Sequence, residues 1–268
     1  MTQRSDGRVK IEEGVVFGTG GGRELRCDVF RPPEPRPDGK SILLIHGGAW
    51  YMGDRSQLRG YGILLGRLGY LCVSTEYRLS GESKWPAQLH DVKACLRFMR
   101  GESGGLGIDR NKISVWGNSA GGHLGLLLAA TPGVAELEGD GGYAGESTHV
   151  EACIAFYSPT RLFPVHRKDA EIPALFEADA TEAMIEAASP LSYATGATFP
   201  PTLLLHGNAD QVVPVKATLD MYTALARAGA PVEMHVFSGA PHGFDAQREL
   251  GRQSAQLAHL FLERHTSA

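Results

Sequence analysis

Residues 112–131, KISVWGNSAGGHLGLLLAAT, pass from an apolar strand through a glycine-flanked serine straight into an apolar helix. Leu124, Leu127 and Leu128 fall where they can face a sheet, and the small residues at the turn let strand and helix approach closely. A strand of this kind needs cover on both faces. The rest of the chain repeats the order. Apolar or alternating runs at 11–17, 23–30, 41–46, 70–76, 151–156, 202–206 and 232–237 read as strands. Helical patterns near 57–68, 88–100, 180–188, 214–228 and 246–264 lie between or after them. In the second of these helices Leu89, Val92, Leu96 and Met99 share one face. This alternation predicts an α/β fold with a mostly parallel sheet flanked by helices.

The first two runs are separated by glycines at 18–22 and read as a hairpin, and the proline-rich stretch 32–40 then carries the chain over the surface. With 268 residues and neither an internal repeat nor a linker, one domain over 1–268 is expected. Segment 159–200 is broken by five prolines, Pro159 and Pro164 among them, with Pro201 just beyond, and is a candidate cap or pocket wall.

Apolar residues make up 43% and charged residues 21%, which is the balance of an ordinary globular protein. The formal charge of −4 argues against a nucleic-acid module, and Arg4, Arg8 and Lys10 read as a solvated terminus. Cys27, Cys72, Cys95 and Cys153 are too sparse for a disulfide framework and lack metal-ligand spacing, so free buried thiols are expected. The opening MTQRSDGRVKIEEG has no apolar signal core, and no run has the length of a membrane span. A cytoplasmic location is expected for the chain as written, a removed leader aside.

Gly117-Asn118-Ser119-Ala120-Gly121 matches G-x-S-x-G between strand and helix, where a sharp turn projects the serine hydroxyl above the sheet. A bland helix cap is the competing reading of Ser119 alone. A neutral serine needs a base. His242 follows the strand 232–237, and Asp210 follows the strand 202–206, which gives the chain order nucleophile, acid, base. Loops at one edge of a parallel sheet can bring the three together. His242 would take the Ser119 proton and Asp210 would hold the imidazole tautomer. Asp245 is the chief decoy for the acid, while Glu182, Glu186 and Asp220 fall in predicted helices.

His46-Gly47-Gly48-Ala49-Trp50 follows the strand 41–46 and can turn backbone N–H groups toward Ser119. The amides of Gly48, Ala49 and Ala120 are the oxyanion-hole candidates, with Gly47 as a close competitor. His46 and His206 sit at strand ends and read as loop-positioning residues rather than second bases. Trp50, Trp85, Phe163, Phe176 and Tyr193 are candidate pocket residues, with core packing as their alternative. Asp54, Glu76 and Arg78 are candidates for a supporting polar network, and Asp91 reads as structural or solvated.

HGGAW, GNSAGG, HGNADQVVP and PHGF together resemble the HGG-containing esterase/lipase branch of the α/β-hydrolases, which includes hormone-sensitive-lipase-like carboxylesterases. The resemblance runs over approximately residues 22–263. It implies an eight-stranded sheet and puts Ser119, Asp210 and His242 on the matching motifs. Ala49 and Trp50 depart from the HGGG form, and the HGG-A-W variant is similar to compact carbohydrate feruloyl or acetyl esterases and to kynurenine formamidases. The expectation is a serine esterase acting on small or sugar-attached carboxylic esters, without metal or organic cofactor. An aryl formamide hydrolase is the first alternative and a noncatalytic binding protein the second. Neither a nucleic-acid partner nor a membrane span is expected, and a homodimer is compatible with the pattern.

Overall fold

The structure, a computed structural model, describes residues 7–162, 175–195 and 199–266. Its strands are β1 (Lys10–Gly20), β2 (Arg23–Arg31), β3 (Ser41–Ile45), β4 (Leu71–Thr75), β5 (Ile113–Asn118), β6 (Cys153–Phe156), β7 (Thr202–Gly207) and β8 (Val232–Phe237). They make one eight-stranded sheet in the order β1-β2-β4-β3-β5-β6-β7-β8. β1 and β2 pair antiparallel, as do β2 and β4, and every later pairing is parallel.

The helices are α1 (Arg59–Gly66), α2 (Ala87–Gly101), α3 (Ser103–Leu106), α4 (Ala120–Ala130), α5 (Glu182–Ala187), α6 (Lys216–Arg227) and α7 (Arg248–His265). Because successive side chains of a strand point to opposite faces, β3 sends Leu43 and Ile45 into one core and Ile42 and Leu44 into the other. The first core is closed by α2, α4 and α6, and the second by α1 and α7. The central strands β3 to β7 are buried along their whole length. Their apolar runs were therefore readable without a polar alternation.

Two local expectations change, and one short helix was not anticipated. The hairpin turn is only Gly21-Gly22, both left-handed, because β1 continues to Gly20. Gly18 and Gly20 serve close approach instead: a Cβ on Gly18 would lie 2.1 Å from the Gly141 carbonyl oxygen, and one on Gly20 2.8 Å from Arg78 Nε. The helix expected at 57–68 divides into a 3-10 turn, Arg55–Leu58, capped by Asp54, and then α1. The short α3, SGGL, has too few residues to carry a helical period. All four cysteines are buried with free thiols, three on strands and Cys95 on α2. No helix among the described residues is long and apolar enough to cross a membrane.

The helix after the serine turn also buries a polar residue, His123, completely. The Trp50 indole N–H donates to His123 Nδ1 at 3.2 Å, and His123 Nε2–H donates to the Ala188 carbonyl at 2.7 Å. Only the neutral ring tautomer satisfies both partners. Burial pushes the His123 pKa down from 6.5 to about 4. Because the folded value is depressed, the unfolded chain binds more protons between these two values. The stability is then present above the ordinary histidine pKa and lost as pH falls through the folded one.

The shift corresponds to roughly 3 kcal/mol at full loss. Urea unfolding across this interval is expected to show falling stability with a shallower pH slope in His123→Gln, which keeps a donor and an acceptor. An identical slope in the two proteins would contradict this role.

Candidate active site

Ser119 sits between β5 and α4 with φ 54° and ψ −117°, a conformation that a residue bearing a Cβ holds only under strain. Its surroundings impose it. A Cβ on Gly117 would fall 2.1 Å from the Gly121 carbonyl oxygen, and one on Gly121 would fall 2.1 Å from that of Ile45. A Cβ on Gly122 would meet Ser158 Oγ at 2.0 Å. The glycines therefore let α4 begin against the ends of β3 and β6. The Ser119 N–H is tied to the Phe156 carbonyl at 2.9 Å, and the Ser119 carbonyl accepts from the His123 N–H at 2.9 Å.

The three residues expected to meet are brought into one line. Ser119 Oγ lies 3.0 Å from His242 Nε2, and His242 Nδ1 lies 2.7 Å from Asp210 Oδ2. Nδ1–H donates to the carboxylate, which leaves Nε2 as the acceptor for the serine hydroxyl. The Asp210 side chain is fully buried while His242 stays 22% exposed. Asp210 Oδ1 accepts from the N–H groups of Val212 and Val213, both at 2.8 Å.

His206 is closer to this line than the sequence suggested. Its Nε2–H is shared between the Val213 carbonyl at 2.9 Å and Asp210 Oδ2 at 3.1 Å, and Nδ1 accepts from the Thr218 hydroxyl at 2.6 Å. Burial lowers its pKa, so at neutral pH it supports Asp210 as a neutral donor.

The loop after β3 carries three consecutive left-handed residues, Gly48 at φ 114°, Ala49 at 48° and Trp50 at 64°. The Gly48 carbonyl accepts from the N–H groups of Tyr51 and Met52, at 3.1 and 3.0 Å, and the Trp50 carbonyl accepts from the Ser80 N–H at 2.9 Å. Among the described residues, the N–H groups of Gly47, Gly48 and Ala49 have no protein acceptor. A Cβ on Gly47 would lie 3.3 Å from Ser119 Cβ, so this loop runs directly beside the serine. Ala120, at the first position of α4, has the free N–H of any helix start. His46 is buried beneath the loop, stacked on Tyr77 at 4.2 Å, with Nδ1–H donating to the Gly47 carbonyl at 2.7 Å. Burial lowers its pKa as well, as suits a neutral support.

A cavity of about 720 Å³ opens from Ser119 and His242 between α1 and α7, walled by Met52, Leu58, Tyr61, Ile63 and Leu64 on one side and by Arg248, Gly251 and Arg252 on the other. The aromatic pocket expected from sequence is not this one. Trp50 is buried against His123, and Trp85 packs on Phe176 and His123. The Tyr193 hydroxyl donates to the Ala187 carbonyl, and none of these four lines the cavity. The left-handed backbone at Trp50 turns its indole toward the core, which the one-dimensional pattern does not show. Phe163 lies outside the described residues.

Asp245 does not compete for His242. Its carboxylate accepts from the Tyr157 hydroxyl at 2.5 Å and Asn118 Nδ2 at 2.7 Å, while Asn118 Oδ1 accepts from the Trp116 indole at 2.8 Å. Tyr157 also sets its ring edge-on to His242 at 4.5 Å. This cluster joins the strand before Ser119 to the loop that carries His242. Only the place of Asn118 inside the serine motif hinted at it.

The expected network of Asp54, Glu76 and Arg78 separates into three. Asp54 caps its turn, Glu76 pairs with Arg23 and Arg55, and Arg78 forks onto the buried Asp91.

Comparison with known proteins finds esterases of similar sequence and fold. The chain is 31% identical over 251 residues to esterase LipQ of Mycobacterium tuberculosis (strain ATCC 25618 / H37Rv), covering 86% of this chain and 56% of LipQ. It is 31% identical to esterase LipC of the same organism, covering 81% of this chain and 56% of LipC. It thus spans little more than half the length of these relatives. A truncated carbohydrate esterase from gut microbiota superimposes with a TM-score of 0.84 at 25% identity, over 98% of each chain. Thermogutta terrifontis esterase 2 phosphoramylated by tabun superimposes with a TM-score of 0.80 at 25% identity, over 97% of this chain and 95% of that one. Residues 27–225, from within β2 into α6, match the BD-FAE family, and the chain belongs to that family of α/β-hydrolase esterases.

Proposed function

We propose that the chain is a single-domain serine carboxylesterase in which Ser119 is the nucleophile, His242 its base and Asp210 the residue that orients the base. The observation that carries this reading is the unbroken hydrogen-bonded line from Ser119 Oγ through His242 to Asp210, placed on a strained turn beside unpaired N–H groups. Ser119 Oγ attacks the ester carbonyl carbon as its proton passes to His242 Nε2. The oxygen that gains charge is received by the N–H groups of Gly48, Ala49 and Ala120, with Gly47 as the neighbouring alternative. His242 then returns the proton to the departing alcohol, leaving an acyl-serine. A water deprotonated by His242 attacks that acyl group, and the proton goes back to Ser119 Oγ as the acid leaves.

The proposed substrates are small or sugar-attached carboxylic esters. The bounded cavity beside Ser119 supports this, as does the similarity to a carbohydrate esterase.

Ser119→Ala is expected to fold as the parent does and to lose burst-phase acylation, with kcat/KM falling by about 10⁴-fold or more. Unchanged turnover of a responsive ester would refute Ser119 as nucleophile. Asp210→Asn is expected to lower kcat by about 10⁴-fold, because the amide can donate to Nδ1 and stabilise the unproductive tautomer. Near-parental kcat would remove Asp210 from the mechanism.

Substrate size is read from a panel of short and long 4-nitrophenyl esters, acetylated and feruloylated saccharides, and N-formylkynurenine, with rates normalised to titrated Ser119. Short or sugar esters are expected to lead. A long-chain optimum with interfacial activation would overturn the size limit, and a much higher kcat/KM on N-formylkynurenine would make the chain an aryl formamidase.

A further inference from the structure

The cavity beside Ser119 is unevenly charged. Its floor and α1 wall are apolar, through Met52, Leu58, Tyr61, Ile63 and Leu64, whereas the opposite wall is one face of α7. Arg248 and Arg252 stand one turn apart on that face, and both guanidinium-bearing side chains are exposed. Gly251 lies between them. A Cβ there would come within 2.4 Å of the Asp245 carbonyl oxygen, so the helix is set close against the loop that carries His242.

Most arginines elsewhere are engaged, the exposed Arg67, Arg161 and Arg227 apart, and none of these three lines the cavity. Arg55 meets Asp28 and Glu76, Arg78 meets Asp91, Arg36 meets Asp38, and Arg264 meets Glu233. Among the described residues, Arg248 and Arg252 have no carboxylate or carbonyl partner.

Arg248, at the first position of α7, also stands where helix stability does not ask for a cation, because it faces the positive end of the helix dipole. Among the described residues, the one carboxylate in the cavity wall, Asp245, is already held by Tyr157 and Asn118. Two unneutralised cations therefore confront whatever fills the arm between α1 and α7. A guanidinium offers paired N–H donors matched to a carboxylate, and two of them one turn apart form a fork at the rim of an apolar trough.

We propose that this arm selects esters bearing a second, anionic group, held by Arg248 and Arg252 and separated from the scissile ester by an apolar or aromatic spacer lying against α1. The proposal rests on the serine-esterase reading and names the substrate class of the same site. The chemistry shared by such substrates is a carboxylate or equivalent oxyanion on either the alcohol or the acyl portion.

Two matched pairs distinguish these sources. In the first, 4-acetoxybenzoate is compared with 4-acetoxybenzamide, which places the charge on the leaving group. In the second, mono-4-nitrophenyl glutarate is compared with 4-nitrophenyl pentanoate, which places it on the acyl group. Each rate is divided by that ester's hydroxide-catalysed rate. In the parent at low salt, the ratio of kcat/KM for the charged over the neutral member is expected to reach about tenfold in at least one pair. It should fall toward unity in Arg248→Gln/Arg252→Gln, persist in part in Arg248→Lys/Arg252→Lys, and shrink as salt is added.

A ratio at or below unity in both pairs overturns the proposal, as does a ratio that the Gln variant leaves unchanged. Binding separates this failure from failure of the esterase reading. In Ser119→Ala, calorimetry should show 4-acetoxybenzoate or the glutarate monoester bound about tenfold more tightly than its neutral partner, a preference removed by the two Gln substitutions. Charge-selective binding without any turnover in the parent would count against the esterase chemistry alone. Turnover without charge selectivity would count against the arginine fork alone.

Discussion

The backbone approach that forces Ser119 into φ 54° is the constraint on which the site depends. Gly117, Gly121 and Gly122 bring the start of α4 so near the ends of β3 and β6 that no side chain fits at any of the three positions. A strained residue persists only where its neighbours over-determine it, and here four elements do so: β5 before it, α4 after it, β3 beside it and β6 through the Phe156 carbonyl. The same approach carries the β3 loop alongside the serine. Nucleophile and unpaired N–H groups are thus held by a single packing arrangement.

That arrangement needs support from below, because the β3 loop is itself strained at Ala49 and Trp50. Two buried neutral histidines supply it. His46 stacks on Tyr77 and binds the Gly47 carbonyl, while His123 receives the Trp50 indole N–H. A third, His206, does the corresponding work under Asp210. In each case burial depresses the imidazole pKa, and the uncharged ring serves as a fixed hydrogen-bonding strut. The partly exposed histidine of the site, His242, is the one placed to exchange a proton with Ser119.

Much of this was legible before any coordinates. Fully buried strands read as short apolar runs, so SILLI, LCVST and TLLLHG declared themselves. Ser119 and Asp210 could be found because each follows such a strand, and His242 because it follows the half-buried edge strand β8, the loops of a parallel sheet opening on one edge. The pocket was not legible, since its walls come from α1 and α7, helices separated by most of the chain. Aromatic character suggested Trp50 and Trp85, yet which side of a turn a side chain takes depends on backbone dihedrals that composition does not encode. His123 was hidden for a related reason. Inside an apolar helix nothing in its local sequence marks it, and its two partners lie in the β3 loop and just past α5.

Asp245 shows why position in a loop is a better guide to role than residue type. It lies three residues beyond His242, but the 3-10 turn Phe244–Ala246 carries its carboxylate away from Nδ1 and toward Asn118 and Tyr157. Asp210, far away in sequence, comes from the end of the neighbouring strand, and its second oxygen is held by the Val212 and Val213 N–H groups. A carboxylate anchored by backbone donors can orient an imidazole without following the ring as it moves. Asp245 belongs to the same loop as the histidine, and its anchors, Asn118 and Tyr157, tie that loop to the ends of β5 and β6. The division of labour follows from that difference: Asp210 fixes the ring, and Asp245 fixes the loop that delivers it.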